Sequence, residues 1–191
     1  MGTEAILGRH SQNAREIIID AAENVVIELG ARHLTLDAVA AKAGVSKGGL
    51  LYHFPNKEAL LHAMLDRRVA RLEESRQQKL ALLPQNPKNV IIAHVRSLLE
   101  RDERTNKLSV ALLAAVAHDP QLLVPYQKEH KRVVDQFCRT GLSFERAGAI
   151  MLAVQGLKFM ELFSLLPFTT AERTRIIEEI IALSEQKKHA R

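Results

Sequence analysis

A chain of 191 residues with 47% hydrophobic and 26% charged residues can bury a sizeable core. Its longest apolar runs, such as "LSVALLAAVA" (108–117), fall well short of the roughly 20 residues that a membrane span needs. A single cysteine, Cys138, excludes an internal disulfide framework and any multi-cysteine metal site, so a reducing cytoplasm is the expected compartment.

The opening "MGTEAILGRHSQ" lacks the basic-then-apolar layout of a signal peptide. The net charge of +5 is unevenly placed: residues 10–29 carry one basic residue against four acidic ones, and residues 30–72 carry seven basic against three acidic. That excess suits a polyanion surface, and equally an ordinary solvated face.

Apolar residues recur at helical spacing along nearly the whole chain, with no period-two strand pattern. A first helix is expected from just after Ser11 to Gly30. "LTLDAVAAKAG" predicts a short second helix, with Thr35 as N-cap, Asp37 in its first turn and Gly44 at its C-terminal stop. Ser46 caps a third that ends before Pro55, and Asn56 caps a fourth running from Lys57 to about Leu83. After the break "PQNP" (84–87), helices are expected over 88–103, from Thr105/Asn106 through 118, over 120–139, and from a Ser143 cap over 144–166. Thr169 with Glu172 has capping-box spacing for a last helix over 171–186. The fold class is therefore all-α, with about nine helices. The expected organisation is a domain of three helices over 1–56, a connecting helix over 57–83 and a body over 84–191.

Three short helices with tight turns, followed by a long one, is the layout of a helix-turn-helix joined to a helical body. In "DAVAAKAGVSKGGLLYHF", Ala38, Val39, Ala43, Val45 and Leu50 are the small and branched residues that hold two crossing helices close. Gly48 and Gly49 cost the third helix about 1 kcal/mol each relative to alanine. Two adjacent exposed glycines suggest a backbone that approaches a partner. Lys47 can reach a phosphate or a guanine edge, and Tyr52 and His53 carry polar tips beyond flat rings. His53 can also be a surface or capping histidine. Thr35 can cap its helix, bond phosphate, or do both. Lys57 opposes the macrodipole at the start of its helix, which makes better sense beside a phosphate. Arg9 and His10 are candidates for a groove-tracking arm.

The segment "LTLDAVAAKAGVSKGGLLYHFPNKEALL" resembles the DNA-binding segment of the TetR family of bacterial transcriptional regulators, with the likeness extending over roughly residues 12–68. The order Thr-x-x-x-Val-Ala, Ala-Gly-Val-Ser, Tyr-x-Phe, Lys-Glu-Ala-Leu carries it. The family often has an aromatic where this chain has Leu51, which can instead touch a thymine methyl or pack. The resemblance implies a DNA contact set of Thr35, Ser46, Lys47, Gly48, Gly49, Leu51, Tyr52, His53 and Lys57. It also implies a double-stranded DNA operator, a homodimer and a small-molecule effector bound in the body.

In the body, Ala149, Ala153 and Gly156, continued by Met160 and Phe163, form a small-residue stripe that is a candidate dimer seam together with Ile177 and Ile181 of the last helix. The same apolar faces can equally be core. Candidate pocket residues are Leu98, Val110, Leu113, Phe137, Met151, Gln155 and Phe159, with His94, His118 and Tyr126 as polar handles. His94, His118 and His130 have no metal spacing, and no cofactor is expected. No phosphate-cradling loop, Gly-x-Ser-x-Gly elbow or His-Glu-x-x-His motif points to an enzyme. The expected function is a ligand-responsive repressor, with no membrane partner. The alternative is a helical adaptor that binds a partner protein and uses its helix-turn-helix as scaffold.

Overall fold

The computed structural model describes residues 3–100, 102–116 and 120–185, with side chains described over 13–100, 102–113 and 121–185. Among the described residues there are nine α-helices and no strand. They are α1 (Thr3–Leu29), α2 (Leu36–Ala43), α3 (Lys47–His53), α4 (Lys57–Ala81), α5 (Asn89–Leu98), α6 (Glu103–Val116), α7 (Val124–Arg139), α8 (Phe144–Leu162) and α9 (Thr170–Ala182). Short 3-10 turns occupy Ala31–His33 and Pro120–Leu123. The all-α expectation holds. None of the described helices is long and apolar enough to cross a membrane. The chain divides into two compact units, one from 1–67 with 103–123 and one from 68–102 with 124–191. Helix α4 crosses from the first to the second without a break.

The first unit is organised around Ile18, Ile19, Ala22, Val25 and Val26 of α1, which meet Leu34, Val39, Leu50, Leu60 and Met64 in a buried core. Its short helices are held by their caps. Thr35 Oγ1 accepts from the Ala38 amide at 3.1 Å, Ser46 Oγ from Gly49 at 3.1 Å and Asn56 Oδ1 from Ala59 at 2.8 Å. Each satisfies an amide that the helix itself leaves unpaired. Gly44 adopts φ 68°, the left-handed conformation that stops α2 and turns the chain toward α3. Helix α6 packs against α1, with Leu108 and Leu112 buried and the Arg104 guanidinium donating to Asn24 at 2.8 Å.

Arg67, near the middle of α4, ion-pairs with Glu16 at 3.2 Å, Asp20 at 2.8 Å and Glu23 at 2.7 Å along α1. The acidic stretch and part of the basic excess seen in the sequence thus meet each other inside the unit. Arg67 is a fastener between helices, not part of a polyanion surface.

In the second unit, Ile91, Val95, Leu98, Val133, Phe137, Ile150, Met151, Val154 and Ile180 form one buried cluster drawn from α5, α7, α8 and α9. Ser143 caps α8, its Oγ accepting from Arg146 at 3.3 Å. Thr169 and Glu172 form the capping box that the sequence predicts for α9.

Several helix ends depart from expectation. Helix α1 begins at Thr3 rather than after Ser11, because "TEAILGRH" holds no proline and a polar serine does not by itself interrupt a helix. Helix α6 opens at Glu103, ahead of the expected Thr105/Asn106 start, and the end predicted at His118 lies outside the described residues. Residues 120–123 form a 3-10 turn before α7, which places Pro125 in the first turn of α7, where its missing amide costs nothing. Helix α5 ends at Leu98 instead of 103, with its terminal carbonyl groups met by side chains from distant helices. The Arg173 guanidinium donates to the Leu99 carbonyl at 2.8 Å and Lys158 Nζ to the Glu100 carbonyl at 3.4 Å. Helix α8 stops at Leu162 instead of 166. Ser164 takes φ 55°, its amide donates to the Glu161 carbonyl at 3.1 Å, and the Leu165 amide donates to Met160 at 2.8 Å. This pair of bonds is the Schellman closure usually built on glycine, here on serine.

Candidate nucleic-acid interface and ligand site

Helix α3 is two turns long and has two distinct faces. Leu50 is fully buried and Phe54, four residues on, nearly so, with the Arg15 guanidinium 5.3 Å from the Phe54 ring centre. Burying two such side chains contributes about 1.5–3 kcal/mol each and fixes the helix by one edge. The opposite face carries Lys47, Gly48, Leu51 and Tyr52, all exposed; Tyr52 is 81% exposed and Leu51 38%. A side chain as large as tyrosine left so open, on a helix otherwise well anchored, has no folding role.

Lys47 is paired across to Asp37 of α2 at 2.9 Å, with both side chains more than half exposed. A β-carbon built on Gly48 would meet nothing within 4 Å. The fold does not require glycine there, so the space above its backbone is free for something outside the chain. A β-carbon on Gly49 would come within 3.3 Å of the Ser46 hydroxyl that caps the helix. His53 is half-buried with its ring edge-on to Tyr52, centroids 5.1 Å apart. Thr35, Ser46 and Lys57 lie exposed at the N-termini of α2, α3 and α4. All nine predicted contact residues therefore belong to one compact unit, eight of them exposed and His53 half-buried. The side chains of Arg9 and His10 lie outside the described residues.

The residues proposed for a pocket separate. Val110 and Leu113 sit on α6 in the first unit, and Phe159 is 52% exposed, its ring 4.7 Å from that of Phe163. His118 lies outside the described residues. The others meet in the second unit. Leu98, Phe137 and Met151 share its core, and His94, 5% exposed, sets its ring edge-on to Phe137 with centroids 5.4 Å apart. Gln155 bonds the His130 ring at 3.0 Å and approaches Met151 Sδ at 3.9 Å, while Tyr126 and His130 meet edge-on at 6.3 Å.

Around His94 stands a charge network that sequence reasoning missed. Arg76, only 4% exposed, donates to His94 Nδ1 at 3.1 Å and to Glu129 at 2.6 Å, and it also pairs with Glu73. Arg132 pairs with Glu129 at 2.8 Å and with Glu73, which closes the ring of charges. The one signal in the sequence was a repeated spacing: "EESR" (73–76) and "EHKR" (129–132) each place Glu and Arg three apart, on one helix face. Burial, and then the charge of Arg76, push the His94 pKa down to about 3, so this imidazole is neutral. Burial also lowers His130 and raises the Tyr126 phenol, against the pull of Arg68. Glu129 is lowered by its bonds to Arg132 and Arg76, which outweigh its burial.

The seam candidates also separate. Ala153, Ile177 and Ile181 pack on the unit's own core, and Met160 is half-buried. Ala149, Gly156 and Phe163 are exposed, and with them Leu152 at 73% and Phe159 at 52%. Positions 149, 152, 156, 159 and 163 alternate spacings of three and four, a continuous apolar line one step round α8 from the predicted stripe. Leu152 was absent from the sequence reading, and Phe159 belongs to this line rather than to the buried cluster.

Comparison with known proteins finds two family profiles along the chain. Residues 18–64 match the profile described as bacterial regulatory proteins of the tetR family, and residues 88–185 match that of the tetracyclin repressor-like C-terminal domain. The HTH-type transcriptional regulator TtgR of Pseudomonas putida is 28% identical over 146 residues, which cover 73% of this chain and 67% of that protein. A TetR-family transcriptional regulator from Rhodococcus sp. superposes with a TM-score of 0.72 at 20% identity, covering 91% of this chain and 99% of that one. The multidrug binding protein EbrR, in complex with malachite green, superposes with a TM-score of 0.66 at 23% identity, covering 88% and 96%. At these identities the structural likeness is one of fold. The second profile alone spans half the chain, and the first falls on the helix-turn-helix whose exposed face is described above: this chain belongs to the TetR family of bacterial transcriptional regulators.

Proposed function

We propose that the protein is a cytoplasmic, dimeric repressor that reads a palindromic operator with α3 and leaves it when a small molecule binds the second unit. The observation that carries this reading is the open face of α3. Tyr52, Leu51, Lys47 and the bare backbone at Gly48 stand exposed on a helix whose other face is locked into the core. A helix so presented fits a major groove about 12 Å wide. Lys47 and Leu51 read base edges, while Tyr52, Thr35 and Lys57 hold the phosphates. In the dimer the apolar line on α8 packs against its own copy, because a palindrome calls for two recognition helices related by a two-fold axis. Helix α4 is the unbroken covalent route from the DNA-reading unit to the effector unit. Linkage then requires operator DNA to weaken effector binding by the factor with which effector weakens DNA binding.

A mobility-shift titration on DNA recovered by selection tests the DNA half. Lys57→Ala is expected to weaken specific and random DNA about equally and to reduce the slope of log affinity against log salt by about 1. An unchanged slope in a folded variant removes Lys57 from the interface. Sedimentation tests the seam: Leu152→Arg, on a surface the monomer leaves open, is expected to yield folded monomers. A dimer of unaltered stability would place the seam elsewhere.

A further inference from the structure

The second unit contains a donor that its own fold does not use. An arginine has no acceptor atom, so the 3.1 Å contact from Arg76 makes His94 Nδ1 the acceptor and leaves the ring proton on Nε2. That Nε2–H is buried and has no hydrogen-bond partner among the described residues. Arg76 Nε, buried in the same network, is likewise a donor without a partner. Natural proteins rarely leave such groups unmet, because the loss amounts to roughly one to two powers of ten in an equilibrium constant. Both groups call for an acceptor. The charges around them cancel: Glu73 and Glu129 are each shared between Arg76 and Arg132, so the network carries no net charge to draw a cation or an anion. The Phe137 ring lies against His94, and His130, whose charge also acts on His94, meets the Tyr126 ring and Gln155, which in turn approaches the Met151 thioether.

We infer that the effector is an uncharged, largely aromatic molecule carrying a hydrogen-bond-accepting oxygen, a ketone, ester, amide or quinone carbonyl, received by His94 Nε2–H. This rests on the proposed reading that the second unit takes a small-molecule effector. It sets the protein apart from a binder of cationic dyes such as the malachite green held by EbrR. His94 serves here as a neutral donor whose tautomer is set by Arg76, and Arg76 in turn is held by Glu73 and Glu129.

Matched probes test the assignment on the full-length dimer by calorimetry. They are benzophenone against diphenylmethane, acetophenone against ethylbenzene, and malachite green as the cation. The ketone of each pair is expected to bind roughly tenfold more tightly than its hydrocarbon. The preference should vanish in His94→Phe, which keeps a ring against Phe137 but has no donor. It should return in part in His94→Gln, whose amide both accepts from Arg76 and donates. Equal binding within each pair, a preference that survives His94→Phe, or tighter binding of malachite green than of either ketone would overturn it. Should His94→Phe fail to fold, nitrogen-15 NMR of the wild-type histidines decides. The Nε2–H resonance of His94 is expected to shift with ketone and stay put with hydrocarbon, and a resonance unmoved by ketone, as for a donor already met by bound water, overturns the assignment. A parallel mobility shift separates the two readings. Failure of the ligand-free wild type to bind DNA would sink the repressor, whereas DNA binding without ketone preference would sink only the effector class.

Discussion

The two units use the same ion pair, a basic side chain against a carboxylate, for opposite purposes. In the first unit, Lys47 and Asp37 meet at 2.9 Å with side chains 61% and 71% exposed. Water competes for both partners, so the pair contributes little, about 0–1 kcal/mol, and a phosphate can take the lysine at small cost. In the second unit, Arg76 is 4% exposed and is shared by two carboxylates and an imidazole. There the partners cannot be exchanged for water, and losing one leaves an uncompensated charge in the interior. In the proposed reading, a contact to be given up to DNA is placed where it is weak. A contact that shapes the proposed effector site is placed where it is costly to disturb.

The largest effect expected from this contrast is at Arg76. Arg76→Leu leaves Glu73 and Glu129 with Arg132 alone, so that one carboxylate charge is uncompensated, and should cost about 3–5 kcal/mol in urea unfolding. The matched surface change Asp37→Asn should cost less than about 1 kcal/mol. Similar losses from the two would remove the distinction.

Acid should act on the second unit next. The folded pKa of His94, about 3, lies below its ordinary value of 6.5, so between these values the unfolded chain binds a proton that the folded chain refuses. The stability this lends neutral protein is complete above pH 6.5 and is lost as the pH falls toward 3. By pH 5 the loss is about 2 kcal/mol. His130, also lowered by burial, acts in the same direction. Glu129 is lowered from its ordinary value of 4.5 and gives up its contribution only at lower pH. The charged and titratable groups facing His94 are Arg76, with Glu73, Glu129 and Arg132 around it, and His130. Urea midpoints at pH 7.5 and 5.0 should therefore fall further for the wild type than for His94→Gln, and equal falls would assign the acid sensitivity elsewhere.

The smallest effect sharpens the account of the open face. Gly48→Ala adds a methyl group that meets nothing within 4 Å among the described residues and should stabilise the protein by up to about 1 kcal/mol. It should at the same time weaken DNA binding, because the methyl occupies space kept for the groove. A variant that is more stable and binds DNA undiminished would show that the glycine serves no approach.

Thr35, Ser46, Gly44, Asn56 and the Thr169–Glu172 box lie where their spacing predicted, because a helix cap is a bond between residues two or three apart and needs no partner from elsewhere in the chain. The helix-turn-helix is built almost wholly from such local choices, with Leu50 and Phe54 one turn apart on the buried edge, so its exposed residues could be read directly from the sequence. The ends of α5 and α8 could not be read so. The first is closed by Arg173 and Lys158 from helices about 60 to 75 positions away, and the second by a serine that took a conformation its type seldom prefers.

The buried network was hidden for the same reason. "EESR" and "EHKR" look like two solvated helix faces until α4 and α7 bring them together around His94. Periodicity likewise showed that α8 carries apolar residues on more than one side, but it did not show which side its own core would claim. That core took Ala153 and left Leu152 and Phe159 to solvent. Sequence alone determined what depends on neighbours along the chain: the helices, their caps and the exposed face of α3. Only the tertiary structure decided which like-looking charges and apolar residues are buried, because burial depends on contacts between positions far apart in the chain, and no local pattern specifies them.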